Sequence, residues 1–325
     1  MRTRVVPFVF VAMLVAAGAV QAAMIPLSRS QLAAGADLIL TGTVTEARSS
    51  WNDDASVIYT DVTVAVSHLD KGSVGRSVVL RVPGGEVGDI GMAVEDVPVP
   101  AVGDRATFYL TGPVEPGVYR LFGGGQGVVS SGLLDKPAPK LYSYSGYHRS
   151  PASCYYHTNT SLPGDWVGVL QSADAAWDGA GSVFRFYYEG TTGSGGPTYD
   201  GINVVTRTNM GSGGILAQNT YWYIRRTKVV VENDIVFNSY YPWSTSGSPS
   251  AYDVQNIGTH EMGHSLVLND LYQAAQAEQT MYGYANVGET KKQTLEQGDV
   301  DGVIRIYGVG VDAARPAARA PASAD

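Results

Sequence analysis

The stretch GTHEMGHSLVLND, residues 258–270, contains two of the chain's five histidines, four residues apart, with a glutamate directly after the first. On a helix, residues i and i+4 lie on one face, so the imidazoles of His260 and His264 can point at one metal ion. A catalytic zinc site needs three protein ligands and keeps a fourth position for water, beside which Glu261 would act as general base. The stretch therefore predicts a zinc centre and raises the question of its third ligand.

Residue chemistry alone leaves that third ligand open. No histidine follows His264 in the sequence. Asp270 ends the stretch, and an aspartate oxygen is an accepted zinc ligand, although this residue could instead only cap the end of the helix. A different arrangement of zinc peptidases would use Glu278 or Glu289.

The first residues have the features of an export signal. MRTR supplies positive charge, VVPFVFVAMLVAAGAV an apolar core, and VQAA small residues at which a peptidase could cut, after Ala22 or Ala23. This run is too short for a comfortable membrane span, and no later segment is long and apolar enough to form one. We expect a signal peptide over residues 1–23 and a secreted, soluble protein.

Composition excludes some classes of partner. The formal net charge of −8 argues against nucleic acid and against anionic membrane surfaces. Cys154 is the only cysteine, so no intrachain disulfide is possible. The 325 residues, 44% of them hydrophobic, are enough for one large domain or two ordinary ones.

The composition and the hydrophobic periodicity of the sequence change along the chain. Residues 24–130 contain short alternating runs such as DLILTGTVTEA and VIYTDVTVAV between turn signals, which predicts a small all-β domain. Residues 131–162 are rich in Pro, Ser and Tyr without a clear period, which predicts a linker. Residues 163–309 read as helix, strands, a helix at about 251–268 and a last helix, typical of an α+β domain. The tail, residues 310–325, is Ala/Pro-biased and predicted to be disordered.

HEMGHSLVLND followed by TMYGY resembles the metzincins, zinc peptidases with a methionine turn beneath the metal. Within that clan the chain resembles the matrixins. DIVFNSYYPWS, with Asp234, Phe237 and Trp243, is similar to the matrixin strand before the active-site helix. GGILA, residues 213–217, is similar to the edge strand of the substrate cleft, and TLEQGDVDGVIRIYG to the closing helix. The resemblance covers about residues 166–308.

The resemblance implies a twisted mixed sheet with an active-site helix and a C-terminal helix. It implies a zinc endopeptidase that takes a protein or peptide substrate, extended beside GGILAQ. Met281 would form the methionine turn, which disfavours Glu278 and Glu289 as ligands. Tyr282 or Tyr284 would be a candidate for stabilising the oxyanion.

The chain departs from the matrixin pattern at two positions that matter for the metal. Asp270 stands where the family has its third histidine, and snapalysin-like metzincins place an aspartate there. The resemblance thus implies His260, His264 and Asp270 as zinc ligands. Val267 stands where the family has glycine, and a β-branched residue is poor at positive φ. We therefore expect the turn to be displaced or reshaped, because Asn269 tolerates that conformation better.

Three further expectations concern other groups. One catalytic zinc is expected, since Gln218 and Val236 replace the histidines of the matrixins' second, structural zinc. Calcium is a possible ligand of oxygen donors at Asp200, Asn203, Asp234 and Asn238, which could equally be turn residues. Cys154 could reach the metal as a latency thiolate, although SPASCYYHT does not match the matrixin propeptide motif.

The sequence thus predicts a secreted zinc-dependent endopeptidase with Glu261 as general base. The alternative is a non-catalytic extracellular binding protein with a structural or degenerate zinc site. Retention of Glu261 favours the enzyme, because a structural site needs no base. The β domain could be a removable prodomain or a binding module, and the sequence leaves substrate specificity and oligomeric state open.

Overall fold

The computed structural model describes residues 23–130 and 141–310. Three predicted segments therefore lie wholly or partly outside the described residues: the signal peptide except Ala23, the first part of the linker, and the tail except Gly310. Within the two described ranges, no helix is long and apolar enough to cross a membrane.

The N-terminal region is built around a closed β-barrel. Its strands follow the two-residue period of the sequence: Val78, Leu80 and Val82 of the third strand are buried, and the residues between them are at least partly exposed. The barrel closes because the first strand pairs with the second on one side and with the sixth on the other. The strands of this region are β1 (Leu38–Trp51), β2 (Ile58–Lys71), β3 (Ser77–Pro83), β4 (Gly85–Val87), β5 (Ile90–Val94), β6 (Arg105–Glu115), β7 (Val118–Leu121) and β8 (Val128–Ser130).

A short helix, α1 (Arg29–Gly35), precedes the barrel, so the prediction of an all-β region was wrong in this detail. The helix begins with a capping box. The Ser28 hydroxyl accepts the Gln31 N–H at 3.2 Å, and Gln31 Oε1 accepts the Ser28 N–H at 2.9 Å. A helix of 7 residues is too short for a hydrophobic period, so only this capping pattern marked it.

The hairpin β4–β5 leaves the barrel and joins a second sheet. Strand β5 pairs antiparallel with β12 (Ala217–Ile224), placing Ile90 opposite Ile224 and Val94 opposite Thr220. The N-terminal region is therefore connected to the C-terminal part by backbone hydrogen bonds as well as by the chain.

The second sheet is mixed and has seven strands in the order β10-β9-β11-β13-β12-β5-β4. Strand β9 (Ser153–Asn159) lies inside the predicted linker, so that prediction was wrong for these residues. Cys154, Tyr156 and Thr158 of β9 are buried, while Tyr155 is exposed. The remaining strands of the C-terminal part are β10 (Arg185–Thr192), β11 (Val204–Thr208), β13 (Val229–Asn238), β14 (Trp243–Ser244) and β15 (Tyr252–Asp253).

Three helices pack with this sheet: α2 (Gly164–Asp178), α3 (Val254–Ser265) and α4 (Gln297–Tyr307). Helix α3 is shorter at both ends than the predicted 251–268, because Asp253 caps its start and the chain leaves helical geometry after Ser265. Trp177 of α2 is buried, and its indole N–H donates to the Thr259 carbonyl of α3 at 2.7 Å. The two helices are thereby fixed against each other, with α3 inside the core.

Candidate metal centre

Helix α3 brings the two histidines of the opening stretch together. Asp253 accepts the Asn256 N–H at 2.8 Å and fixes the start of the helix. One turn separates His260 from His264, and their Nε2 atoms lie 3.2 Å apart. Both side chains are fully buried or nearly so. The predicted convergence of the two imidazoles is confirmed.

Backbone carbonyls set the orientation of both rings. His260 Nδ1 lies 2.7 Å from the Thr280 carbonyl, and His264 Nδ1 lies 2.8 Å from the Leu268 carbonyl. Because a carbonyl only accepts, each Nδ1 carries the hydrogen. In the neutral form of each ring, Nε2 then presents its lone pair to the shared space, as a metal-ligating histidine does.

The chain leaves α3 through a turn centred on Val267. The Leu268 N–H donates to the Gly263 carbonyl at 3.2 Å and the Val267 N–H to the His264 carbonyl at 2.9 Å, the two bonds of a Schellman motif. Val267 itself has φ +64°. The expected displacement of the turn was therefore wrong: Val267 adopts the left-handed conformation in which the resembling family uses glycine.

Tertiary packing explains why a valine is tolerated in this left-handed conformation. Its side chain is fully buried among Tyr221, Tyr223 and Val230. Burying a valine contributes about 1.5–3 kcal/mol, which offsets the roughly 1–2 kcal/mol that left-handed backbone costs a residue with a Cβ.

We expect Val267→Gly to be more stable than Val267→Ala by about 1 kcal/mol, because alanine keeps the left-handed penalty and both variants lose the isopropyl group. Urea midpoints of the two variants measure the difference. Val230, buried in the same cluster but in strand β13, is the matched control: there alanine should be more stable than glycine. The account of Val267 fails if alanine is the better residue at both positions.

The turn places the carboxylate of Asp270 next to the two histidines. Asp270 Oδ1 lies 3.0 Å from His260 Nε2, and Oδ2 lies 3.2 Å from His264 Nε2. One ligand atom from each of the three residues lies within 4.8 Å of the other two. The cap position of α3 is Leu266 rather than Asp270. Asp270 therefore belongs to the cluster.

The alternative ligands lie elsewhere. Glu278 Oε1 is 3.2 Å from Lys291 Nζ with its side chain 75% exposed, and Glu289 Oε1 is 4.0 Å from Lys292 Nζ. Among the residues that the structure describes, the only group of His, Cys, Asp and Glu with metal-binding geometry is His260, His264 and Asp270.

The electrostatics of the cluster favour a cation. Burial lowers the pKa of His260 to about 4, so that ring is neutral. Burial also lowers the pKa of His264, but Asp270 and Glu95 outweigh it and raise that pKa well above its usual value. Burial raises the pKa of Glu261 to about 8. The buried carboxyl groups thus stabilise positive charge in the space between the three residues.

This donor set fits zinc. Two imidazole nitrogens and one carboxylate oxygen are ligands that zinc accepts, with the fourth position left for water. Both Oδ atoms of Asp270 are buried and face the Nε2 atoms of the two histidines. A buried carboxylate needs a charged partner, and a metal ion between the three residues would supply one.

Glu261 lies on α3 between the two histidines and is 1% exposed. Both of its carboxylate oxygens are buried without a hydrogen-bond partner. The backbone carbonyl of Glu261 accepts from Asn219 Nδ2 of β12 at 3.0 Å, so α3 is held against that strand at this residue.

Met281 packs against Gly263 of α3, the residue directly before His264. It is 2% exposed, and a Cβ on Gly263 would come within 2.2 Å of its sulfur. Any side chain at residue 263 would therefore displace the methionine. The turn is held by Asp299 of α4, whose carboxylate accepts the N–H groups of Thr280 and Met281 at 2.8 and 3.1 Å.

We expect Asp299→Asn to weaken zinc binding about tenfold or more, because Thr280 holds His260 in orientation. The amide NH₂ would face backbone N–H donors, at a cost of about 1–3 kcal/mol. Chelator competition measures the affinity and thermal unfolding the stability. Asp301→Asn, on the exposed side of the same helix, is the control. Equal zinc affinity in the two variants would mean that the turn does not support the metal residues.

Sequence reasoning missed three charged residues beside the cluster. Glu95 Oε2 lies 3.9 Å from His264 Nδ1, and Asp96 is half-buried beside Asp270, within hydrogen-bonding reach of it. Lys292 is fully buried, and its ammonium donates to the carbonyls of Tyr282 and Tyr284. No sequence motif includes these residues, because each reaches the cluster only through tertiary contacts.

The two tyrosines after Met281 lie beside each other, with ring centroids 5.7 Å apart. Tyr284 also contacts the ring of Tyr272. The suggested oxyanion role of Tyr282 or Tyr284 stays a prediction.

Cys154 lies on β9, on the sheet side of α3. Its thiol is 3.6 Å from Asn233 Oδ1, and Asn233 in turn donates to the Ser265 hydroxyl at 2.9 Å. Cys154 is 2% exposed and is not part of the metal-binding group. The thiol is thus held in a buried polar network.

The oxygen donors considered for calcium hold backbone turns. Asp234 accepts the N–H groups of Thr198 and Val204 at 2.9 and 3.0 Å. Asp200 accepts the Ile202 N–H at 2.9 Å. Asn203 accepts the Asn233 N–H, and Asn238 accepts the N–H groups of Met210 and Tyr240. Calcium binding at these oxygens stays a prediction.

The comparison with known families agrees with this geometry. The sequence model of the matrixin family matches residues 206–308, which run from β11 to the end of α4. Strands β9 and β10 and helix α2 lie before the match. No curated protein matches the chain. Matrixins are metalloendopeptidases. Residues 206–308 are therefore a matrixin domain, and the buried cluster of His260, His264 and Asp270 lies within it.

Proposed function

We propose that the protein is a secreted zinc-dependent endopeptidase. The observation that carries this proposal is the buried His260, His264 and Asp270 cluster, with the unpartnered carboxyl group of Glu261 beside it, inside a matrixin domain. Secretion rests on the signal-like residues 1–23.

The three cluster residues would hold one zinc ion, which when bound polarises a water molecule and the carbonyl of the peptide to be cut. Glu261 would take a proton from that water and then deliver it to the leaving amine. Burial raises its pKa in the metal-free protein, and a bound dication favours its ionised form.

The other residues of the site hold this arrangement in place. Thr280 and Leu268 keep both imidazoles oriented through their carbonyls, and Asp299 fixes the turn that carries Thr280. Asn219 ties α3 to β12, so the helix and the substrate edge cannot shift independently.

The substrate would be an extended protein or peptide segment beside residues 213–217. Those residues lead into β12, the strand that contacts α3. Extended peptides bind such edges through main-chain hydrogen bonds, while pockets select alternate side chains.

The test is cleavage of a peptide library by the zinc-loaded chain, with product ends identified by mass spectrometry. Cleavage that a chelator stops and added zinc restores is the expected result. Zinc binding without any cleaved bond would favour the binding-protein alternative.

A further inference from the structure

The end of helix α3 and the turn after it carry backbone carbonyls that the helix cannot bind. A helix ends with carbonyl groups that no helical N–H reaches, so buried ones need other partners. Here these are the carbonyls of Ser265, Leu266 and Val267, and all three residues are buried. Their partners therefore decide how firmly the chain is held shortly before Asp270.

Residues 143–149 pair with this turn through the backbone. The Ser145 N–H donates to the Val267 carbonyl at 3.1 Å, and the Asn269 N–H donates to the Ser143 carbonyl at 2.9 Å. The side-chain amide of Asn269 also donates to the Ser143 hydroxyl at 3.2 Å. The pairing therefore ends at the residue directly before the aspartate of the cluster.

Arg149 binds the last residue of α3. Its Nε donates to the Ser265 carbonyl at 2.9 Å, and its Nη2 donates to the side-chain oxygens of Asn233 and Asn203. The arginine is 6% exposed. These three acceptors are neutral oxygens, so the negative end of the helix dipole is what favours the buried positive charge at this point.

Tyr307 of α4 connects Arg149 with the next residue of the turn. Its hydroxyl donates to the Leu266 carbonyl at 3.3 Å and accepts the Arg149 N–H at 3.3 Å. The carbonyls of Ser265, Leu266 and Val267 are thus all bound by residues distant in the sequence. The opening stretch does not fix its own end.

The turn held in this way connects two of the metal residues. His264 directly precedes Ser265, and its ring is oriented by the Leu268 carbonyl at 2.8 Å. Asp270 follows two residues after that carbonyl. A shift of the turn would therefore change the orientation of one ligand and the position of another at the same time.

The segment that holds the turn is itself anchored on the sheet. The His148 N–H donates to the Lys228 carbonyl at 3.0 Å, and the Val230 N–H donates to the His148 carbonyl at 2.8 Å. Residues 143–149 thus run from the start of β13 to the turn. They lie before the part of the chain that matches the matrixin model, which begins at residue 206.

We propose that residues 143–149, and Arg149 in particular, are positioning residues of the metal centre, which hold the end of α3 so that His264 and Asp270 face one metal ion. The proposal rests on the proposed zinc function and adds to it residues from outside the matrixin match. Arginine suits this place because its planar group reaches the helix carbonyl and the amide oxygens together, whereas lysine carries the same charge on one nitrogen.

The test compares Arg149→Lys with wild type in the full-length chain. We expect zinc affinity, measured by chelator competition, to fall about tenfold or more, as when a group that orients metal ligands is lost. The visible spectrum of the Co²⁺-loaded protein should change as the ligand geometry changes. In the metal-free protein, hydrogen exchange at the Asn269 amide should become faster, because that amide donates to the Ser143 carbonyl.

Arg81→Lys is the matched control. Arg81 lies in β3 of the barrel and donates to both carboxylate oxygens of Asp61, at 2.8 and 2.9 Å. The same substitution there breaks a comparable set of hydrogen bonds away from the metal residues. It should lower the urea midpoint but leave zinc affinity and the cobalt spectrum at their wild-type values.

A second variant carries the test if Arg149→Lys does not fold. Tyr307→Phe keeps the ring but removes the hydroxyl between Arg149 and Leu266, and it should weaken zinc binding by a smaller factor. Tyr156→Phe is its control, since it removes a hydroxyl that donates to Asp174 at 2.6 Å. That variant should bind zinc as wild type does.

The outcomes separate this proposal from the proposed function. Wild-type zinc affinity and an unchanged cobalt spectrum in Arg149→Lys and Tyr307→Phe overturn the positioning role, even if the urea midpoints fall. An equal loss of zinc affinity in Arg81→Lys also overturns it, because metal binding would then only follow stability. Weaker zinc binding in Arg149→Lys alone, without peptide cleavage by the zinc-loaded wild type, supports the positioning role and overturns the peptidase function instead.

Discussion

Replacing Glu261 by glutamine should leave zinc bound and reduce peptide cleavage by about 10²- to 10⁴-fold, the usual contribution of a general acid–base group. Glutamine has nearly the same shape as glutamate but cannot take a proton from water at neutral pH. The side chain is buried and both carboxylate oxygens lack a hydrogen-bond partner, so the substitution breaks no contact that holds the fold.

The measurement compares kcat/KM on a peptide library for Glu261→Gln and for the wild-type protein. Zinc content is determined on the same samples. Full cleavage by Glu261→Gln would mean that another group moves the proton, whereas loss of zinc would mean that Glu261 supports the metal site.

The zinc stretch was predictable because its geometry is local. An i, i+4 pair of histidines needs only one helical turn, and Asp253 caps the helix in the usual way. Met281 and the closing helix were found through resemblance. Nothing in the segment TMYGY itself predicts that Met281 packs against α3.

The backbone conformation of Val267 was mispredicted because the conformational preference of a single residue corresponds to a small free energy. Contacts with Tyr221, Tyr223 and Val230 outweigh it, and these residues are distant in the sequence. Strand β9 was missed for a related reason: its buried positions include Cys154 and Thr158, so the run carries no clear apolar alternation.

The contacts of Glu95 and Asp96 with the metal cluster were not predictable from any motif. Glu95 and Asp96 meet residues about 170 positions later, across what the sequence presents as a boundary between two domains. The pairing of β5 with β12 creates this contact. A prediction made separately for each region has no means of finding it.

Asp270→Asn is expected to lower zinc affinity by at least about 100-fold, more than the loss of an outer partner of a ligand usually costs. Asparagine keeps the volume of the side chain but removes the charge that faces both histidines at 3.0 and 3.2 Å. Its NH₂ group would also turn a donor toward the space between the ligands. Competition with a chromogenic chelator measures the change.

The matched controls are Glu278→Gln and Glu289→Gln, which remove the two other carboxylates considered as third ligands. Because both of these residues lie beside lysines outside the cluster, zinc affinity should stay at the wild-type value. Circular dichroism of the metal-free Asp270→Asn protein checks that the fold is retained. If Asp270→Asn binds zinc normally while Glu278→Gln or Glu289→Gln does not, the third ligand has been assigned to the wrong carboxylate. The turn through Val267 would then serve only to close α3.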